Sequence, residues 1–239
     1  MRVNWNYIKM IALLSLVIFL FAFATVRNES RKVSEIDISF VGKNNLFITH
    51  ETVSKLLIQN QQSVKKLAKE TLDLNQLEKS LNSNPMIKSA EVYVSVNGIL
   101  KADVEQKMPI ARVSTAESFY IDDDGLYMPL SKNYTARVPI VTGYVKKNDL
   151  KNVFTVANKV KNDDFLMKNV VEIHQNLNKT ICLKLRQCDF LVQLGNLNFL
   201  DKKINNLKAF YQKGLKEKTL NSYSKVNLQF DNQVVCTKT

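Results

Sequence analysis

Glycine and proline are scarce, at six and four of 239 residues, and no stretch repeats with a period between 20 and 50 residues. Collagen-like, low-complexity, solenoid and propeller architectures are thereby excluded. The glycines stand singly, one per expected turn or helix end, so the clustered glycines of a phosphate-cradling loop are missing. Histidine occurs only as His50 and His174, which fall in different expected domains and leave no nucleophile with a base beside it. No His or Cys pair has a metal-ligand spacing, and no metal or other cofactor is expected. The three cysteines, Cys182, Cys188 and Cys236, leave at least one unpaired. A Cys182–Cys188 bridge across a hairpin is one reading, and small buried hydrophobes the other.

What remains is a chain with 45% hydrophobic and 23% charged residues, enough apolar content to bury a core, which excludes intrinsic disorder. Met10 to Val26 carries no charge and is bounded by Lys9 and Arg27. That run meets the roughly 17–25 residues needed to cross a bilayer. Trp5 and Tyr7 lie where interfacial aromatics belong, and Arg2 and Lys9 hold that end in the cytoplasm under the positive-inside rule. The rival reading is a secretory leader cleaved after Ala24, at Ala22-Phe23-Ala24. Both readings export the bulk of the chain.

Beyond a basic linker, Glu35 to Val41 alternates apolar and polar residues and stops at Gly42, the pattern of a half-buried strand. Thr49 is placed to cap a short helix carrying Val53, Leu56 and Leu57. Asp73 with Gln76 opens a second helix with a stripe of Leu74, Leu77 and Leu81 that ends at Asn84-Pro85. Gln59 to Glu70 is either the loop between them or a solvated extension. Val92, Val94 and Val96, then Asn97-Gly98, then Leu100, Ala102 and Val104 predict a hairpin with a two-residue type I′ turn. The order β-α-α-β-β predicts a small α+β unit with both helices on one face of a three-stranded sheet.

From Pro109 onward, short strands alternate with turns at Asp122-Asp123-Asp124-Gly125 and Gly143. A helix is expected around Leu150 to Leu166, a hairpin joins Ile181–Leu185 to Phe190–Leu194, and a second helix carries Leu200, Ile204, Leu207, Tyr211 and Leu215. A closing hairpin sets Val226, Leu228 and Phe230 against Val234, Val235 and Cys236 across Asp231-Asn232-Gln233. The fold class expected is α+β: an N-terminal transmembrane helix, a β-α-α-β-β domain, then a second α+β domain on an extended, mostly antiparallel sheet. The boundaries are a tail at 1–9, a span at 10–26, a linker at 27–32, and domains at 33–107 and 108–239.

The net charge of +12 asks for an anionic partner, but it is unevenly placed. Residues 1–32 hold five basic and one acidic side chain, residues 33–110 nine of each, and residues 111–239 twenty against twelve. Phe199 to Lys225 supplies seven Lys against Asp201 and Glu217, with no Arg. Base-reading Arg forks and stacking platforms are absent there, so nucleic acid is not expected. Lys202, Lys203 and Lys208 form a candidate surface for anionic lipid or an acidic partner, against the reading of a solvated helix face. Asp122 to Asp124 lacks the alternating ligand spacing of a calcium loop and reads as a solvated turn. An exported hydrolase would have to draw a carboxylate pair from Asp122 to Asp124 or from Asp163-Asp164.

The order of these pieces resembles the bacterial cell-division proteins FtsQ and DivIB, whose first exported domain is of the POTRA type. The resemblance is carried by Ile36 to Gly42, Asn84 to Val92, Asn97 to Leu100, Glu105 to Arg112, Tyr120 to Gly125, Val138 to Gly143 and Val226 to Asp231. It covers nearly the whole chain. It implies a non-catalytic divisome scaffold in the cell inner membrane, with its bulk periplasmic, that binds FtsB- and FtsL-like single-span partners and regulates septal peptidoglycan synthesis. Family members capture a partner by adding its strand to their last strand, which here implicates Phe230, Val234, Val235, Cys236 and Thr237. Lys238 stands where some relatives carry an aromatic, and Thr239 follows directly. A POTRA-bearing secretion or envelope-assembly protein is the alternative. Such a protein would carry a long β-barrel, and the 132 residues after Lys107 are too few and wrongly patterned for one.

Overall fold

The computed structural model describes residues 5–29, 33, 35–42, 45–59, 72–230 and 233–239. Helix α1 (Trp5–Glu29) contains the apolar run Tyr7–Val26, 20 residues long and wholly exposed, which is long and apolar enough to cross a membrane. The chain divides into two compact units, Met1–Gln106 and Lys107–Thr239.

In the first unit, strand β1 (Glu35–Val41) turns Ile36, Ile38 and Phe40 toward the core. Thr49 caps helix α2 (His50–Gln59) by accepting from Thr52 N–H at 3.3 Å, and Val53 and Leu57 are buried. Asp73 caps helix α3 (Leu74–Asn82) by accepting from Gln76 N–H at 2.9 Å, with Leu77 and Leu81 buried. The Gln59 to Glu70 stretch lies, save its first residue, outside the described residues. Strands β2 (Ile87–Val94) and β3 (Ile99–Gln106) form the expected hairpin, and β1 adds parallel to β3, giving the order β1-β3-β2. Buried Gln106 ties the segment before α2 to this sheet: its Oε1 accepts from Phe47 and Ile48 N–H, and its Nε2 donates to Ile48 O.

The hairpin turn differs from expectation. Gly98 has φ +83°, but Asn97 does not join it at positive φ, as a type I′ turn would require. Gly98 N–H donates to Ser95 O and Ser95 N–H to Ile99 O, so the loop is the three residues Val96-Asn97-Gly98. Val96 leaves the strand and stands 77% exposed.

The second unit begins with β4 (Pro109–Ser114), β5 (Ser118–Asp122), β6 (Tyr127–Met128) and β7 (Ile140–Gly143). Helices α4 (Lys151–Lys161) and α5 (Asp164–Asn169) replace the single helix expected there, because the Asp163 side chain caps a new start by accepting from Phe165 and Leu166 N–H. Strands β8 (Val170–Gln175), β9 (Ile181–Leu185) and β10 (Leu191–Gly195) follow, then α6 (Leu200–Glu217), β11 (Tyr223–Asn227) and β12 (Val235–Lys238). Among the described residues they make one nine-stranded mixed sheet, ordered β12-β11-β10-β9-β8-β7-β4-β5-β6. Three neighbours, β4–β7, β7–β8 and β10–β11, pair parallel and the rest antiparallel. The row Val226, Val192, Leu183, Ile173, Val141 and Val113 is buried in one core with α4 and α6. The adjacent row, Lys225, Leu191, Lys184, Glu172, Ile140 and Arg112, points to the opposite face and is exposed or half-exposed.

Candidate functional site

Strand β12 closes one end of the large sheet, antiparallel to β11, with Thr237 opposite Lys225, Cys236 opposite Val226 and Val235 opposite Asn227. Its outer edge pairs with no strand among the described residues. Alternation splits its side chains: Val234 and Cys236 pack against the core, while Val235 and Thr237 are exposed. Thr239 N–H donates to Ser222 O, on the β11 side. Because backbone direction alternates by residue in an antiparallel pair, Thr237 and Val235 also hydrogen-bond toward β11. Cys236 therefore presents its N–H and C=O groups outward, where a further strand would meet them, whereas Lys238 O accepts from Ser224 Oγ of β11 at 3.2 Å. Phe230 is 48% exposed but is not in a strand, since β11 ends at Asn227 and Leu228 N–H donates to Gln193 O instead. Asp231 and Asn232 of the expected turn lie outside the described residues.

The candidate basic surface needs correction. Lys203 is buried at 8% exposure, and its ammonium donates to Leu194 O, Asn196 O and Asn196 Oδ1. Its position explains this: Leu200, Lys203, Ile204 and Leu207 share the inward stripe of α6. Lys208 is half-buried and paired with Asp163 at the α5 cap. Of the three lysines, Lys202 projects into solvent.

Burial would push the Asp163 carboxyl up, but the Lys208 ammonium and the Leu166 and Phe165 N–H groups together hold it below the ordinary carboxylate value. A folded-state value below the unfolded one gives stability that is present above the ordinary carboxylate range, about pH 4, and is lost as pH falls through the folded value. Asp163→Asn is expected to cost about 0.5–2 kcal/mol at neutral pH through the weakened cap. It should also flatten the fall in stability below about pH 4. Urea midpoints against pH measure both; an unchanged acid limb would refute the assignment.

Two of the carboxylates a hydrolase would draw on, Asp122 and Asp163, are engaged in structural contacts. Asp122 is not solvated as expected but wholly buried, with Oδ2 2.7 Å from Lys107 Nζ and Oδ1 accepting from Asp124 and Leu126 N–H. His50 stacks edge-on against Phe40 at 4.6 Å, and His174 Nδ1 meets Thr142 Oγ1 at 2.8 Å. The three cysteines are unbridged, and burial raises the Cys188 and Cys236 thiols above their ordinary value, away from the reactive thiolate. No group of three His, Cys, Asp or Glu residues is placed to hold a metal among the described residues.

A family model described as FtsQ/DivIB, C-terminal related, matches residues 108–237. The chain belongs to the FtsQ/DivIB family. A POTRA-like domain model matches residues 33–105, over the β1-α2-α3-β2-β3 unit. No curated protein matches the chain. FtsQ/DivIB membership and the apolar α1 fit a single-pass membrane protein, and membership points to a division-related scaffold. The POTRA and C-terminal signatures were legible as strand and turn motifs, whereas the outward-facing backbone of Cys236 required the register of β12.

Proposed function

We propose that this protein is a non-catalytic scaffold of the division machinery that captures FtsB- or FtsL-like single-span partners by strand addition at β12 and so regulates septal peptidoglycan synthesis. Its short N-terminal tail is cytoplasmic, α1 anchors it in the inner membrane and both following domains are extracytoplasmic. The observation that carries the reading is the open edge of β12 at the end of the nine-stranded sheet. Such an edge offers main-chain hydrogen bonds to an incoming strand, while Val235 and Thr237 on one face and Phe230 beyond β11 supply the side-chain selection.

The register chooses the test. Proline at Val235 would break the protein's own ladder to β11, whereas proline at Cys236 removes only an outward donor. Cys236→Ala controls for the lost thiol packing. Full-length fluorescent fusions are expected at midcell in dividing cells, and co-purification of the FtsB-like protein should fall at least tenfold in Cys236→Pro but not in Cys236→Ala. Equal capture by the two folded variants would sink the strand-addition reading, and a uniform membrane distribution would sink the division role.

A further inference from the structure

Of the twenty basic residues between 111 and 239, three are arginines, and these three gather around one residue, Ile140. Arg112 lies directly opposite Ile140 across the parallel β4–β7 pair. Arg137 precedes Ile140 by three positions, and Arg137 and Arg186 line a cavity of about 440 Å³ with Ile140, Met167 and Val171. None of the three guanidiniums has an ion-pair or hydrogen-bond partner among the described residues, although lysines 107, 147, 159, 161, 179 and 208 of the same unit are all paired with carboxylates. Glu172, beside Ile140 on the same face, accepts from Thr142 Oγ1 at 2.6 Å and pairs with no cation there. The cavity wall is also apolar, with Ile140 45% and Met167 55% exposed.

Gathering like charges without a counter-charge disfavours the fold, and an anion docked there would relieve it. Arginine rather than lysine sets the chemistry: a planar, weakly hydrated fork matches a carboxylate bidentately and tolerates apolar neighbours. We propose that Arg112, Arg137 and Arg186 form a docking site for an acidic segment of a partner protein, with carboxylates on the guanidiniums and an apolar side chain against Ile140 and Met167. The mixed charged and apolar lining fits a peptide alternating the two. Ile140 stands five strands from β12, about 24 Å at the usual strand spacing, and Arg186, at the end of β9, three, so the site is a second contact rather than part of the edge. It rests on reading the second domain as partner-binding but does not depend on strand addition.

The test is fluorescence anisotropy with a labelled peptide of alternating glutamate and leucine, titrated with the full chain in lipid nanodiscs. Saturable binding is expected, weakened at least tenfold when glutamine replaces the glutamates, and at least tenfold by Arg137→Gln with Arg186→Gln. Cys236→Pro should leave it unchanged, which separates this site from the β12 reading. Absence of saturable binding, or affinity indifferent to the arginine substitutions, would overturn the proposal. Displacement of the peptide by inorganic phosphate at equal or lower concentration would overturn it in favour of a phosphate ligand.

Discussion

Lys107→Met is expected to destabilise the second domain by about 3–5 kcal/mol, because it strands a buried carboxylate. Asp122 has no exposed surface, and the Lys107 ammonium 2.7 Å away is the counter-charge of Oδ2, a close ionic contact without the angular geometry of a hydrogen bond. The same ammonium reaches Tyr127 O at 3.4 Å. The other oxygen organises the β5–β6 turn by accepting from Asp124 and Leu126 N–H at 3.1 and 2.6 Å. Removing the cation therefore leaves the charge in place, buried and still held by the turn but without its counter-charge. Asp122→Asn should cost less, about 1–2 kcal/mol, since the carbonyl oxygen can keep the turn and Lys107 retains a route to solvent at 15% exposure. The double variant should recover much of the Lys107→Met loss, as expected when the unpaired charge rather than the missing contact is the cost. Urea denaturation of the three variants measures this. A Lys107→Met cost below about 1 kcal/mol, or strict additivity in the double variant, would show that the pair does not brace the domain.

The parts of this fold that were legible in the sequence are those decided within a few residues. Alternation at Ile36, Ile38 and Phe40 and at Leu100, Ala102 and Val104 marks strands whose inward faces line the first core. The Asp73 cap is likewise local: an acceptor three residues ahead of the N–H it satisfies. Neighbours distant in the chain were not legible. The parallel contacts of β7 with β4 and β8 join segments about 30 residues apart, and nothing in Ile140–Gly143 alone says which strands flank it. Two errors came from reading charge without its frame. Lys203 counted as surface because it is a lysine, although its spacing from Leu200, Ile204 and Leu207 placed it on the buried stripe. Asp122 read as part of a solvated turn, although it directly ends the buried run Phe119-Tyr120-Ile121.

The candidate edge was partly legible for the same reason. Val234, Val235 and Cys236 read as a strand, and the strand is found from Val235 to Lys238. Side-chain alternation then separates Val235 and Thr237 from Val234 and Cys236. Backbone direction is a property of the pair, so the outward groups of Cys236 follow only once Thr239 is seen to donate to Ser222. The three arginines show the opposite limit. Residues 112, 137 and 186 are far apart in the chain, and only the β4–β7 pairing and the chain after β9 bring them to Ile140.

Gly143→Ala is expected to cost about 3–5 kcal/mol, close to the upper range for a single substitution. Gly143 has φ +87°, which alone disfavours alanine by about 1–2 kcal/mol. A Cβ at this position would lie 2.1 Å from Gln175 O and 3.0 Å from His174 Cε1. The obstructing atom is backbone, so relief requires β7 and β8 to separate rather than a side chain to rotate. That separation is opposed at two points, because Tyr144 N–H donates to the same Gln175 O at 2.9 Å and Gln175 Nε2 donates to Tyr144 O at 2.6 Å. Each bond lost adds about 0.5–1.5 kcal/mol. Gly195→Ala is the control: its φ is +70°, but the three atoms nearest the added Cβ all belong to the Gln229 side chain, with Nε2 at 2.2 Å. That side chain follows β11 on the surface and can move away, so the cost should stay near the backbone term of about 1–2 kcal/mol. Hydrogen exchange should report the difference locally, with faster exchange at Tyr144 and along β7 in Gly143→Ala and none of this in Gly195→Ala. Equal destabilisation by the two substitutions would mean that positive φ accounts for everything and that the close passage of β7 over Gln175 contributes nothing.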